Sequence, residues 1–195
     1  MADKKKIGLY FGTFNPIHIG HLIIANHMAN HTDLEEVWFV VSPHNPFKNK
    51  ATLLDDHARL ELVHRAIKDY DRLRVLDIEF GLARPSYTVN TLVHLTEEYP
   101  NINFSLIMGG DNLNSFHKWK NYEVILENHD LYVYPRLATT PGSLDNHEKV
   151  NLVAAPIMQI SSSFIRNAIK NKKDIRAMLP PNVWEYIDEM NYYRK

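Results

Sequence analysis

The chain has 195 residues, of which 45% are hydrophobic and 23% are charged, and its formal net charge is -1. This length suits one domain with a substantial core, and the near-neutral charge predicts no general attraction to nucleic acid or to a membrane surface. The absence of cysteine excludes disulfides, thiolate nucleophiles and zinc–sulfur sites. Because the charged residues 1–6 lead directly into an apolar run, and no run is long enough to span a bilayer, we expect a cytoplasmic protein.

Apolar runs alternate with helix-patterned segments along most of the chain, which predicts an α/β fold with a parallel sheet. The predicted strands are residues 7–11, 37–41, 73–76, 104–108, 131–134 and 150–154. Helices are predicted at 22–28 and at 56–67, the second behind an acidic first turn at Asp55 and Asp56. Ligands of such sheets bind outside the carboxyl ends of the strands, so the segments that follow strands are the candidate site.

The first such segment, residues 12–21, has the sequence G-T-F-N-P-I-H-I-G-H. A strand that leads into a helix through such a turn brings backbone N–H groups and the positive end of the helix dipole together, and phosphate binds readily there. His18 and His21 are three residues apart, so they share one face of the first helical turn. This arrangement predicts a site that steadies a nucleoside triphosphate while one of its phosphorus atoms is attacked.

The histidine pair has two other interpretations. The pair could bind zinc, but the chain has no cysteine, and no Asp or Glu stands nearby at ligand spacing, so we predict no metal site. A single histidine at a helix start could also be a simple cap. Two histidines around a glycine, directly after a strand and a turn that contains Thr and Asn, make that interpretation less favourable.

The string at 12–21 resembles the signature of the nucleotidyltransferase superfamily with the H-x-G-H motif, and more narrowly that of bacterial nicotinate mononucleotide adenylyltransferases. The resemblance implies a Rossmann-like nucleotidyltransferase fold in a single domain, 1–195, with helices on both faces of the parallel sheet. The superfamily also contains phosphopantetheine adenylyltransferase, cytidylyltransferases and class I aminoacyl-tRNA synthetases. The motif therefore predicts the reaction type better than the substrate, which the later segments must decide.

The segments after the second and third strands favour the pyridine nucleotide branch. Residues 42–50 are polar and contain two prolines, which predicts a loop over the ligand crevice, and the resemblance implies that Lys48 lies near the phosphates. Residues 85–92, P-S-Y-T-V-N-T-L, resemble the segment that holds the pyridine carboxylate in the family, although Ser86 or Thr88 could be only a helix N-cap. Donors at a helix start suit a carboxylate better than a neutral amide, so we expect the acid substrate.

The segment after the fourth strand, residues 109–119, follows the family pattern G-x-D-x-L-x-x-F-x-x-W. Gly109 permits close approach of a ligand to the backbone, and Asp111 offers an acceptor to a ribose hydroxyl. Trp119 could be a core residue, but the resemblance implies that its indole stacks on the pyridine ring. Arg136, after the fifth strand, is placed to hold a phosphate.

The last motif, residues 159–166, reads Q-I-S-S-S-F-I-R and resembles the family's I-S-S-T-x-I-R, which binds the triphosphate. Three hydroxyl groups at a helix start could also be an N-cap. Residues 139–149 are expected to form a surface insertion without chemistry, and Pro180-Pro181 begins a final helix that we expect to serve packing.

Residues and resemblance together predict transfer of AMP from ATP to nicotinate mononucleotide, with Mg²⁺ carried on the ATP. The residues expected to act in catalysis are His18, His21 and Arg166. Those expected to bind ATP are Gly12, Thr13, Phe14, His18, Gly20, His21, Lys48, Ser161, Ser162, Ser163 and Arg166. Those expected to bind the mononucleotide are Asn15, Tyr87, Thr88, Gly109, Asp111, Trp119 and Arg136.

Several alternatives stay open from the sequence. A phosphopantetheine adenylyltransferase or an enzyme that prefers the amide mononucleotide is the nearest rival, and a non-catalytic nucleotide sensor is a rival of a different class. A synthetase is disfavoured, because 195 residues without a K-M-S-K-S-like string leave no room for tRNA recognition. We expect no nucleic-acid or membrane partner, and the oligomeric state, a homo-oligomer included, is not predicted.

Overall fold

The computed structural model describes residues 4–43, 53–137 and 140–194. Within these residues six parallel strands form one sheet in the order β3-β2-β1-β4-β5-β6. The strands are β1 (Lys5–Gly12), β2 (Glu36–Val41), β3 (Leu73–Leu76), β4 (Ile102–Gly109), β5 (Leu131–Tyr134) and β6 (Val150–Leu152). All the predicted strands are therefore confirmed, with ends that differ by two residues or fewer.

The α-helices of the described residues lie between successive strands from β1 to β5, and after β6. They are α1 (Ile19–His31), α2 (Asp56–Ile67), α3 (Thr88–Glu98), α4 (Gly110–Ser115), α5 (Tyr122–Asn128), α6 (Ser162–Lys170) and α7 (Pro181–Glu189). Helix α2 has the predicted bounds because Asp55 caps it, its carboxylate accepting the His57 N–H at 2.9 Å. Helix α1 begins three residues before the predicted start, and α4 and α5 were not predicted.

Strand β2 shows how the core is divided between the two faces of the sheet. Val37, Phe39 and Val41 point into a cluster with α1, α2, α6 and α7, whereas Trp38 and Val40 point into a second cluster with α3, α4 and α5. All five side chains are almost fully buried. The predicted arrangement of helices on both faces is thereby confirmed.

The strand order reverses between β1 and β4, which are hydrogen-bonded neighbours in the middle of the sheet. From β1 the chain proceeds to one edge through β2 and β3, and from β4 to the other edge through β5 and β6. Ligands of open α/β sheets bind at this kind of switch point. None of the helices in the described part of the chain is long and apolar enough to cross a membrane.

A fully buried guanidinium, that of Arg59 on α2, joins the segments that follow β1 and β2. Its Nη1 donates to the carbonyl oxygens of Thr13 at 2.6 Å and Ser42 at 2.8 Å, and its Nε donates to that of Leu54 at 3.1 Å. Its Nη2 pairs with Asp56 at 2.5 Å. Burial lowers the pKa of Arg59, and the interaction with Asp56 offsets part of that effect. Arg59 therefore fixes two loops at the carboxyl edge of the sheet.

Replacing Arg59 with methionine should destabilise the fold strongly, because it leaves several buried carbonyl groups without a donor. We expect the free energy of unfolding, measured with urea, to fall by about 3–5 kcal/mol. The matched control is Arg65→Met on the same helix, whose half-exposed side chain pairs with Glu61 at 2.6 Å. That change should cost about 1 kcal/mol. Equal losses in the two variants would contradict the role given to Arg59.

Candidate active site

The turn between β1 and α1 is shaped around the ring of Phe14. Phe14 has a φ of 43°, in the left-handed region that non-glycine residues rarely adopt, and its ring is 2% exposed. The ring meets those of Tyr10, His21 and Phe39 edge-on, with centroids 5.2–5.9 Å away. A Cβ atom on Gly12 would lie 2.8 Å from the Phe14 ring, so glycine is required there. The turn is thus anchored in the core next to the histidines.

The two histidines of the motif are stacked at the start of α1. His18 is the N-cap residue, and its ring lies 3.7 Å from that of His21, centroid to centroid, at an angle of 23°. The backbone N–H of His18 donates to Nδ1 of His21 at 3.2 Å. A neutral imidazole that accepts at Nδ1 carries its proton on Nε2, so the Nε2 of His21 is a donor. A Cβ atom on Gly20 would lie 3.1 Å from the His18 ring, which explains the glycine between them.

Both histidines are held in the neutral form. Burial, followed by the positive charge of Arg136, lowers the pKa of His18 to about 4. Removal from water, the His18 ring and Arg136 lower the pKa of His21 well below its usual value. Nδ1 of His18 is buried and has no hydrogen-bond partner among the residues that the structure describes. Since native proteins rarely leave such an atom unpaired, a ligand or water is the expected partner.

Helix α6 is attached directly to the turn between β1 and α1. Ser161 caps α6 by accepting the Phe164 N–H at 3.2 Å, and the Ser162 hydroxyl donates to the carbonyl of Pro16 at 2.9 Å. Nη1 of Arg166 donates to the carbonyl of Asn15 at 2.8 Å, and its Nη2 donates to the Ser163 hydroxyl at 3.3 Å. The predicted I-S-S-S-x-I-R motif and the predicted H-x-G-H motif therefore meet in space.

The starts of α1 and α6 share one cavity of about 180 Å³. Arg136, which follows β5, brings a positive charge to it. The polar and glycine residues that line the cavity are Tyr10, His18, Gly20, His21, Arg136, Ser161 and Ser162. Two helix N-termini and a guanidinium around one space form an environment for an anion.

Gly109 is the last residue of β4, and Asp111 lies in the first turn of α4; both are next to Arg136. Nε of Arg136 lies 3.6 Å from Oδ1 of Asp111, and a Cβ atom on Gly109 would lie 3.2 Å from the Arg136 side chain. Asp111 is exposed. The segments after β1, β4 and β5 thus converge, as expected for a switch point.

Trp119 and the start of α3 form a second part of the predicted site. The half-buried indole of Trp119 packs on the fully buried ring of Phe116, with 5.2 Å between centroids. Nζ of the next residue, Lys120, lies 4.3 Å from the centroid of the Tyr87 ring. Tyr87 is the N-cap of α3 and Thr88 is its first residue, so the alternative in which Ser86 or Thr88 caps the helix is wrong.

Two residues that contact the site were not found from the sequence. Arg59 binds Thr13, as described above, and the hydroxyl of Tyr193 donates to Oδ1 of Asn15 at 2.8 Å. Neither lies in a recognisable motif, and Tyr193 is 178 residues from its partner. Lys48 lies outside the described residues. Among the described residues no three His, Asp or Glu side chains are grouped as a metal site would require.

Comparisons with known proteins agree with this architecture. Residues 9–168 match a family model described as cytidylyltransferase-like. The chain is 64% identical over 192 residues to a probable nicotinate-nucleotide adenylyltransferase of Flavobacterium psychrophilum, covering 97% of this chain and 100% of that one. A protein of the same name from Flavobacterium johnsoniae is 62% identical, with the same coverage. The chain belongs to the nicotinate-nucleotide adenylyltransferase family.

The nucleotidyltransferase fold is confirmed by a solved structure. Nicotinic acid mononucleotide adenylyltransferase of Plasmodium falciparum, complexed with NaAD, superposes with a TM-score of 0.81. It is 22% identical in sequence, and the match covers 97% of each chain. The family resemblance inferred from the H-x-G-H, G-x-D and I-S-S-S-x-I-R strings is therefore confirmed as well.

The lowered pKa of His18 can be measured by NMR titration of its ring Cε1–H resonance, assigned with a His18→Ala variant. Because the neutral form is favoured, the resonance should stay constant as the pH falls through the usual histidine range and should move only near the pKa of about 4. Arg136→Ala should raise this pKa, since it removes a nearby positive charge. Arg176→Ala, which removes an exposed arginine paired with Asp174, should not change it. A midpoint near the unperturbed value of about 6.5 would contradict the proposed environment.

Proposed function

We propose that this protein transfers the adenylyl group of ATP to nicotinate mononucleotide, giving nicotinate adenine dinucleotide and pyrophosphate, a step of NAD biosynthesis. The observation that carries the proposal is the pair of neutral imidazoles stacked at the start of α1, beside Arg136 and the start of α6. The family membership of the chain supplies the substrate, since its relatives are named for the nicotinate nucleotide.

The reaction is a substitution at the α-phosphorus of ATP. An oxygen of the 5′-phosphate of the mononucleotide forms the new P–O bond, and the bond from the α-phosphorus to the oxygen that bridges it to the β-phosphorus breaks. The electron pair of that bond leaves with pyrophosphate. Because the attacking phosphate is already an anion, no general base and no covalent enzyme intermediate are needed. Catalysis then depends on positioning and on stabilisation of the negative charge.

We assign the triphosphate to the cavity between α1 and α6. His18 and His21 donate N–H groups to the α- and β-phosphates. Arg166 lines a separate cavity on the Ser163 side of α6, and we assign to it, with Lys48, the charge on the leaving pyrophosphate. The Ser162 hydroxyl already donates to the carbonyl of Pro16, so Ser162 acts mainly by fixing the start of α6. The Ser161 hydroxyl accepts the Phe164 N–H and can still donate its own proton to the anion, beside the backbone N–H groups at the start of α6.

The remaining predicted ATP contacts involve the backbone of the turn. Gly12, Thr13 and Gly20 permit close approach, and Phe14, whose ring is buried, contributes through its main chain and by holding the turn. ATP enters as its magnesium complex, with the ion bound by phosphate oxygens and water, which suits a metal that keeps much of its hydration.

The acceptor lies along the edge from Arg136 to Trp119. The indole of Trp119 stacks on the pyridine ring, and the start of α3 at Tyr87 and Thr88 receives the carboxylate. Gly109 and Asp111 face a ribose, and Arg136 faces phosphate. Asn15, whose nearly buried side chain accepts from Leu54 and Tyr193, is assigned to holding the turn. The dipole of α3 favours an anionic carboxylate over a neutral amide at its start.

An assay of pyrophosphate release with three acceptors tests the proposed function. With ATP and Mg²⁺, we expect kcat/KM to be highest for nicotinate mononucleotide. The amide mononucleotide should be lower by about 10–100-fold, the worth of one charge-assisted hydrogen bond. With phosphopantetheine as the acceptor, no pyrophosphate should be released from ATP. Release with none of the three acceptors would refute the function, and equal rates with acid and amide would refute the acid preference.

Replacing either His18 or His21 with alanine should lower kcat by about 10²–10³-fold, because each change removes a donor to charge that develops in the transition state. The unfolding midpoint should move far less. The control is His31→Ala on the same helix, since His31 stacks on His27 at 4.5 Å between centroids, far along α1 from the cap. That variant should keep the wild-type kcat, and a comparable loss in it would contradict the assignment.

A further inference from the structure

The carboxyl-terminal segment after α7 turns back toward the turn between β1 and α1. Asn191 and Tyr193 have φ values of 55° and 64°, in the left-handed region that non-glycine side chains rarely adopt. Such conformations cost of order 1 kcal/mol and persist where the surrounding structure determines them. Here the backbone brings the Tyr193 side chain to Asn15, whose Oδ1 accepts the phenol proton at 2.8 Å.

Asn15 connects this phenol to groups that the proposed reaction uses. Its side chain is nearly fully buried, and its Oδ1 also accepts the backbone N–H of Leu54 at 3.3 Å. Its own carbonyl accepts Nη1 of Arg166 at 2.8 Å. Asn15 also lies between Thr13, which Arg59 holds, and the histidine pair. A shift of the Asn15 backbone would therefore move the guanidinium of Arg166, which binds the carbonyl of Asn15 and lines a cavity next to Ser163.

The Tyr193 hydroxyl is suited to a constant role as donor. Burial raises its pKa well above the usual tyrosine value, and this effect outweighs the nearby positive charges of Arg166 and Arg59, which act in the opposite direction. The phenol therefore stays protonated wherever the protein is folded near neutral pH, and Asn15 keeps its donor. A hydroxyl that never ionises serves orientation and not proton transfer.

We propose that Tyr193 is a positioning residue for adenylyl transfer, which acts by fixing Asn15 and, through it, the orientation of Arg166 toward the triphosphate. The inference rests on the proposed function. Tyr193 is assigned no contact with either substrate. The competing interpretation is that Tyr193 only fastens the end of the chain to the fold, in which case its hydroxyl would affect stability but not the use of ATP.

Tyr193→Phe separates the two interpretations, because it keeps the ring and removes only the hydroxyl. We expect kcat/KM for ATP to fall by about 10–100-fold, whereas KM for nicotinate mononucleotide should change by about twofold or less. Far-UV circular dichroism should be unchanged, and Tm should fall by about 2–4 °C, as expected for one lost hydrogen bond in a chain of this size. The matched control is Tyr192→Phe, whose ring packs edge-on against Tyr186 with 5.8 Å between centroids. It should keep kcat/KM for ATP.

A double-mutant cycle with Arg166→Ala tests the path of the effect. If Tyr193 acts through Asn15 on Arg166, then in the Arg166→Ala background Tyr193→Phe should lower kcat/KM for ATP by about twofold or less. A full loss in that background would overturn the proposal, as would a Tyr193→Phe variant with wild-type kcat/KM for ATP. An inactive wild-type protein would refute the proposed function together with this inference, whereas an active wild type with an unaffected Tyr193→Phe would refute the inference alone.

Discussion

The pairing of β1 with β4 is the constraint on which the site depends. These strands are far apart in the chain but adjacent in the sheet, with Tyr10 in register with Ile107. The turn between β1 and α1 and the Gly109–Asp111 segment therefore lie at the same carboxyl edge of the sheet. Because parallel strands return through right-handed crossovers, the helices that follow β1 and β4 leave on opposite faces and open a crevice between them.

The site combines positively charged arginines with neutral histidines. An arginine guanidinium is not deprotonated in proteins, so it provides a fixed positive charge. Burial, together with the positive charge of Arg136, keeps the stacked histidines neutral. A neutral imidazole beside fixed cations donates a hydrogen bond without adding repulsion, and negative charge that develops on phosphate oxygens strengthens that bond. Interactions that strengthen in the transition state are those that accelerate a reaction.

Much of the fold could be predicted because its strands are buried on both faces. Strand β2 is buried along its whole length, so it appears in the sequence as one apolar run. Helix α1 began earlier than predicted because histidine, which is not among the preferred N-cap residues, caps it. Helices α4 and α5 contain six and seven residues, about two turns or fewer, which is too short for a helical period to be recognised.

The candidate site was predictable where chemistry is local and unpredictable where it is not. His18 and His21 share a motif, and their proximity follows from helical spacing. Arg136 lies close to the histidines only because of the order of the strands in the sheet, which no local sequence pattern specifies. Arg59 and Tyr193 reach their partners across 46 and 178 residues, and an isolated arginine or tyrosine in a helix or tail carries no sign of such a contact.

The turn from Thr13 to Pro16 shows why these distant contacts matter. Its carbonyl oxygens accept donors from α2, through Arg59, and from α6, through Ser162 and Arg166. Tyr193, in the carboxyl-terminal segment, donates to the side-chain oxygen of Asn15 in this turn. The turn is therefore held by elements that pack on the same face of the sheet. Since His18 lies two residues after Pro16, the geometry of the histidine pair depends on how α2, α6 and the end of the chain are packed, and a substitution in any of them can change that geometry without replacing a histidine.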